Sequence, residues 1–224
     1  MLAFLAPCFL NAQQGKHPDF PAIVKASDLH YNTPVTRSED GMPTGNGRMG
    51  TLVWTIPSAL KFQLNRADVF GNNSSSRNFF ERHTDYCGGT GALSVDFGTP
   101  VFTDDHFSQH LSCYDANVQV KGNGLSAEVF TAAVLDVMDI TIRDSRKLKH
   151  PVQIILSTLR KPDMRHGDHR ALTKAFRQGR YIILTQRFTE GDYYCASAVA
   201  VSASGINRVV EDEQGVIRLC IDPA

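Results

Sequence analysis

The chain has 224 residues, of which 42% are hydrophobic and 21% charged, and its 23 basic residues balance 23 acidic ones to a formal net charge of zero. That length suffices to bury a core in one large domain or two small ones. The balanced charge argues against a nucleic-acid partner, and the one short charged run, "DSRKLKH" at 144–150, reads as a solvated turn.

The chain opens on "MLAFLAPCFLNAQQGKHPDF", an apolar run from Leu2 to Leu10 followed by the small Ala12 and then polar residues. This pattern predicts a secretory signal over residues 1–12, cut near Ala12, and its lack of a basic start fits a truncated one. Residues 13–224 are then expected to be secreted or periplasmic. Pro7 speaks against a lipid-bearing Cys8. Nothing later approaches the roughly 18 apolar residues of a membrane span, so none is expected. Beyond the signal lie Cys87, Cys113, Cys195 and Cys220, which permit two disulfides in three connectivities or four free thiols. No pair has the C-x-x-C spacing of a metal or redox site.

The stretch "TGNGRMGTLVW" at 44–54 holds Gly45, Gly47 and Gly50 in G-x-G-x-x-G spacing. A dinucleotide fingerprint needs a strand before the glycines and a helix after them, whereas here "TLVWT" continues as a strand. A protein kinase would place a helical lobe between the strand lysine and D-F-G, which leaves no room between Lys61 and Asp96-Phe97-Gly98, and no H-R-D occurs. The glycines instead predict a tight, partly left-handed turn that delivers the chain into its first core strand, with Trp54 in the core.

Further along, Leu60, Phe62 and Leu64 alternate with Lys61, Gln63 and Asn65, the period of a half-buried strand. Leu93, Val95 and Phe97 repeat it, and "SVDFGTP" reads as a strand ending in a turn. Asn123-Gly124 between two alternating runs signals a hairpin. Met138, Ile140 and Ile142 alternate again, while "VQIIL" at 152–156 and "YIILTQ" at 181–186 look more fully buried. The segments "GNNSSSRN" at 71–78 and "RKPDMRHGDHR" at 160–170 read as loops. Strands at this density, with no long amphipathic helix, predict an all-β chain folded as a large antiparallel β-sandwich.

Chemistry is sparse. Asp104, Asp105, Glu128 and Asp139 are carboxylates of the type that glycoside hydrolysis uses in pairs, but their spacing does not place two of them across a cleft. His106 and His110 near Asp104, and His166 and His169 around Asp168, lack a third ligand at metal-site spacing, so no metal is expected. No G-x-S-x-G elbow is present. The residues by themselves support no catalytic group and no cofactor.

The segment "MPTGNGRMGTLVW", followed by "KFQLNRADVFGNN", resembles the N-terminal sandwich domain of six-hairpin glycosidases. The likeness points to the fucosidase-type enzymes of glycoside hydrolase family 95 and related secreted proteins with an uncharacterised N-terminal domain. Pro43, Gly45, Asn46, Gly47 and Gly50 fit that family's glycine turn, and Gln63, Leu64 and Asn65 fit its Q-L-N segment. The likeness continues through "ALSVDFG", through 106–142 and into "PVQIILSTLRKP".

The resemblance implies a supersandwich of the galactose-mutarotase type. It also implies that the catalytic carboxylates sit on a helical barrel downstream, whereas this sequence stops at "VIRLCIDPA" in strand-like territory. The expectation is therefore a non-catalytic N-terminal domain of a secreted glycoside hydrolase, inactive alone, that packs against an (α/α)6 barrel of the same polypeptide and shapes its cleft. Arg66, Ala67, Asp68, Val69 and Phe70 stand where the fucosidase-type enzymes carry an acidic pair and a Trp, which argues against fucose specificity. The turn at 45–50 and the loop at 65–76 are the expected glycan- or barrel-facing parts, with Asn46, Arg48, Asn65 and Asp68 as substrate-binding candidates. The alternative is a free-standing carbohydrate-binding or scaffold module.

Overall fold

A computed structural model describes residues 18–71, 86–158, 162–166, 169–213 and 216–223. The expected signal at 1–12 and nearly all of the loop at 71–78 lie outside these residues. Among the described residues the chain forms sixteen strands, β1 to β16, and one short helix, Phe20–Lys25, which Pro21 and an Asp19 cap begin. No described helix is long and apolar enough to cross a membrane.

The strands fall into three sheets whose pairs are all antiparallel. A five-stranded sheet runs in the order β1 (Leu29–Tyr31), β6 (Ser108–Ser112), β7 (Asn117–Gly122), β8 (Leu125–Thr131) and β9 (Met138–Asp144). A seven-stranded sheet runs β15 (Arg208–Glu211), β16 (Ile217–Ile221), β10 (Val152–Ser157), β5 (Tyr86–Asp96), β4 (Ala59–Gly71), β3 (Met49–Ile56) and β2 (Met42–Gly45). The four-stranded sheet holds β11 (Asp163–His166), β12 (His169–Gln178), β13 (Tyr181–Glu190) and β14 (Tyr193–Val201). The all-β, sandwich-type expectation holds.

Period-two alternation explains which side chains are inside. Val53 pairs with Phe62, Phe62 with Leu93 and Leu93 with Leu156, so all four point from one face of the seven-stranded sheet, and all are buried. Both smaller sheets cover that face. Val118, Val120 and Val129 of the five-stranded sheet, and Ile182 and Leu184 of the four-stranded sheet, join the same core. Each such side chain contributes about 1.5–3 kcal/mol by leaving water. Replacing the fully buried Phe62 by Ala is the single change expected to damage this core most, at about 3–5 kcal/mol.

Polar links bind the layers as well. Gln109 of β6, buried to 1% exposure, donates from Nε2 to the carbonyl of Val53 at 2.9 Å. Gln186 of β13 donates to the carbonyl of Gly89 at 3.0 Å. A Cβ on Gly91 would stand 2.9 Å from Leu184 Cδ2, so the glycine lets β13 approach closely.

Four sequence readings need correction. Ile154 and Leu156 of β10 are buried but Gln153 and Ser157 are exposed, and β13 alternates likewise. Both strands are one-sided because no layer among the described residues covers their outer faces. Trp54 pairs with Lys61 on the outer face of β3, half-buried, opposite the core residue Val53. The segment 160–170 contains β11 and the start of β12, and the described side chains of β11, Asp163, Met164 and Arg165, are all exposed, so no apolar period betrays the strand. Finally, "DSRKLKH" is not simply solvated. The Arg146 side chain is 9% exposed and grips Asp144 with Nε and Nη2, while Nη1 reaches Thr99 Oγ1 at 3.0 Å and the Phe97 carbonyl at 3.3 Å.

Other readings match the structure. Asn123 and Gly124 form a two-residue connection between β7 and β8, with Gly124 at φ +71°. Asp96 Oδ1 accepts the backbone N–H of Gly98, which ends β5 in a turn rather than a D-F-G motif.

Candidate functional site

The glycine turn is the hairpin between β2 and β3. Gly45 pairs with Gly50, and Gly47 at the tip takes φ +87°, a conformation open to glycine. Asn46 Oδ1 accepts the backbone N–H groups of both Arg48 and Met49 at 2.9 Å. These two amides are therefore already bonded within the turn. Asn46 Nδ2 donates to the carbonyls of Ala132 at 2.9 Å and Leu135 at 3.1 Å, on the connection between β8 and β9. With two donors and two lone pairs engaged, Asn46 is saturated.

Charge completes the link. Arg48 donates to the Val134 carbonyl at 3.3 Å and pairs with Asp136 at 3.0 Å. Arg66 of β4 holds Asp68 with two nitrogens, at 2.6 and 2.8 Å, and reaches Asp136 with the third at 2.5 Å. The Arg66 fork keeps the Asp68 carboxyl below its ordinary range, and the two carboxylates in return hold the guanidinium proton more firmly. Asp68 therefore stays ionised and neutralised, which suits hydrogen bonding to hydroxyls and does not suit proton transfer.

Three of the four sequence candidates, Asn46, Arg48 and Asp68, thus gather in one network around the 132–137 connection. Asn65 stands beside them, half-buried at an irregularity where β4 slips against β5. It lines a cleft of about 220 Å³ with Arg66, Asp136, Val137 and Met138. Among the described residues the Asn65 side chain makes no hydrogen bond. Sequence reasoning missed Asp136 and its connection. The available signal was one acidic residue inside "AAVLDV", between two alternating runs.

That connection is unusually apolar for a surface. Val134, Leu135 and Val137 are 80%, 60% and 54% exposed. Next to it opens a larger cleft of about 600 Å³, floored by Leu93, Val95 and Ile154 of the central sheet and walled by Ile140 and Ile142 of β9 and Val201 of β14. Both walls are edge strands. Their inward side chains are only half-buried, whereas the inward residues of the neighbouring β8 and β13 are buried.

The other candidates do not converge on this site. Glu128 faces outward on β8 and accepts from Asn117 Nδ2 at 2.6 Å, and Asp139 is exposed and accepts from Thr141. Asp104, Asp105 and His106 form an exposed 3-10 turn. The side chains of Phe70, Cys87, His166 and His169, with Asp168, lie outside what is described. Cys113, Cys195 and Cys220 are free thiols.

Fold and site define an all-β sandwich domain with a polar network beside an apolar face that no described residue covers. The family model for the DUF5703 N-terminal domain, a domain of unknown function, matches residues 30–192. The chain belongs to that family. No curated protein matches it.

Proposed function

We propose that this domain is a non-catalytic sandwich module of a secreted glycoside hydrolase, which packs against an (α/α)6 catalytic barrel and forms part of the rim of its glycan cleft. The observation that carries the reading is the connection at 132–137. Asn46 and Arg48 hold it in place through three of its backbone carbonyls, yet it presents Val134, Leu135 and Val137 to solvent. Holding apolar side chains outward costs free energy unless another surface covers them, and contiguous exposed apolar patches mark such interfaces. The neighbouring cleft extends the patch. Arg48, Asn65 and Asp68 border it as polar groups for sugar hydroxyls, with Asn46 acting as the brace. The motif resemblance at 43–50 and 63–65 supplies the enzyme class.

The test is aryl-glycoside turnover by two proteins, the purified 224-residue chain and the polypeptide as its gene encodes it. The chain alone should turn over nothing, and the encoded polypeptide should carry a helical barrel and hydrolyse at least one substrate. Turnover by the chain alone that is abolished by Glu128→Gln or Asp139→Asn would make it an enzyme in its own right. Glycan binding by an encoded polypeptide that lacks a barrel would make it a free-standing binding module.

A further inference from the structure

The start of β1 and its partner β6 carry a second constellation, remote from the glycine turn. His30 of β1 and His110 of β6 are directly paired across the two strands. Their imidazoles stack face to face, with ring centroids 4.3 Å apart and planes within 7° of parallel. Asp28, two residues before His30, places Oδ2 at 2.9 Å from Nε2 of His110. One ligating atom from each of Asp28, His30 and His110 lies within 4.8 Å of the other two.

The carboxylate is fixed before any ion arrives. Its Oδ1 accepts the backbone N–H of Cys113 at 2.8 Å. With Oδ1 held there, Oδ2 is left facing His110 as the oxygen that would meet an ion. We propose that Asp28, His30 and His110 form a transition-metal site of the zinc class, which clamps the amino-terminal strand β1 onto β6.

The donor chemistry sets the class. Two imidazoles and one carboxylate suit zinc and its borderline neighbours, whereas magnesium and calcium prefer all-oxygen sets. Zinc sits about 2.0–2.2 Å from nitrogen and oxygen ligands, so the 2.9 Å between Asp28 and His110 is spanned after a shift of a few tenths of an ångström. The ion sits between this pair, bound by Nε2 of a neutral His110 imidazole whose one ring proton is on Nδ1. His30 is exposed, so its ring can turn to supply the third bond. A fourth position stays open to water. The consequence is mechanical. Among the described residues β1 is a three-residue edge strand paired only with β6, and an ion bridging residues 28, 30 and 110 adds a cross-link at that edge.

The test starts from the metal-free chain, titrated with zinc by calorimetry and with cobalt by absorbance. One equivalent should bind, with the visible bands of a low-coordinate cobalt centre. Zinc at a hundredfold above its Kd should raise the unfolding midpoint by about 5–10 °C. His30→Ala, His110→Ala and Asp28→Asn should each weaken binding at least tenfold, whereas His106→Ala and Cys113→Ser should not. Because His30 is exposed, His30→Ala should keep the metal-free midpoint, which separates lost binding from lost folding. Absence of zinc uptake, an unmoved midpoint, or wild-type affinity in His30→Ala would overturn the site. Loss of binding in Cys113→Ser would show that the donor set is a different one.

Discussion

Nη1 of Arg66 on β4 lies 2.5 Å from Oδ2 of Asp136, seventy positions along the chain, in the connection between β8 and β9. This pair ties the central sheet to the five-stranded sheet at the mouth of the smaller cleft. Arg48 meets the other oxygen of Asp136, so one carboxylate joins β4 and the β2–β3 turn to the connection. Asp136→Asn should therefore cost about 0.5–1 kcal/mol in dilute buffer, and less in roughly 0.5 M salt, since the pairs are one-third to two-thirds exposed. Urea unfolding at the two ionic strengths measures the difference. A loss that salt leaves unchanged would mean that the network works through packing.

The glycine turn makes a graded prediction. Gly47→Ala should cost about 1 kcal/mol, because φ +87° strains any L-residue although nothing crowds the site. Gly45→Ala should cost more, about 2 kcal/mol, for a different reason. Its Cβ would stand 2.8 Å from the Met49 carbonyl oxygen and 3.2 Å from Gly50 Cα, and this backbone cannot yield without opening the pair. Thermal unfolding of both variants checks the order, and equal midpoints would refute it. ATP and NAD should leave the midpoint unchanged, since Asn46 already holds the turn's amides.

Asp144 and Arg146 predict a pH dependence. The bidentate Arg146 guanidinium is the main cause that holds the Asp144 carboxyl below 3.8, its ordinary value. A depressed folded-state value means that the stabilisation is fully present above about pH 4 and fades as pH falls through that depressed value. Wild type should exceed Asp144→Asn by about 1 kcal/mol at neutral pH, and the gap should narrow as pH falls below the ordinary carboxylate range. Denaturant midpoints across pH 2–7 follow the narrowing. A constant gap would assign the effect to shape.

The apolar connection predicts association. The triple change Val134→Ser, Leu135→Ser, Val137→Ser removes side chains that are more than half exposed, so it should leave the unfolding midpoint within about 0.5 kcal/mol of wild type. It should also reduce self-association, measured by light scattering, because it removes the centre of the patch. Unaltered association would place the sticky surface elsewhere.

Local pattern made much of this fold legible. Alternation at Leu60, Phe62 and Leu64 placed each of those side chains on the buried face of β4, and Asn123-Gly124 marked the β7–β8 hairpin. These features depend on residues a few positions apart, where pleat and turn chemistry dominate. Edge strands such as β11 were invisible, because a strand whose described side chains are all exposed shows no apolar period.

By itself the sequence determined the all-β class, the glycine turn in place of a phosphate loop, and the facing of the central strands. Tertiary structure alone decided how many layers cover each face, and so placed Trp54 outside the core. It alone brought Asp136 to Arg48 and Arg66, and Asp28 to His110 across 82 positions. The spacing of His106, His110 and Asp104 suggested the wrong neighbours, because the partners of His110 come from a strand pairing. Pairing depends on which distant segments bury apolar surface together, and no short window of residues contains that information.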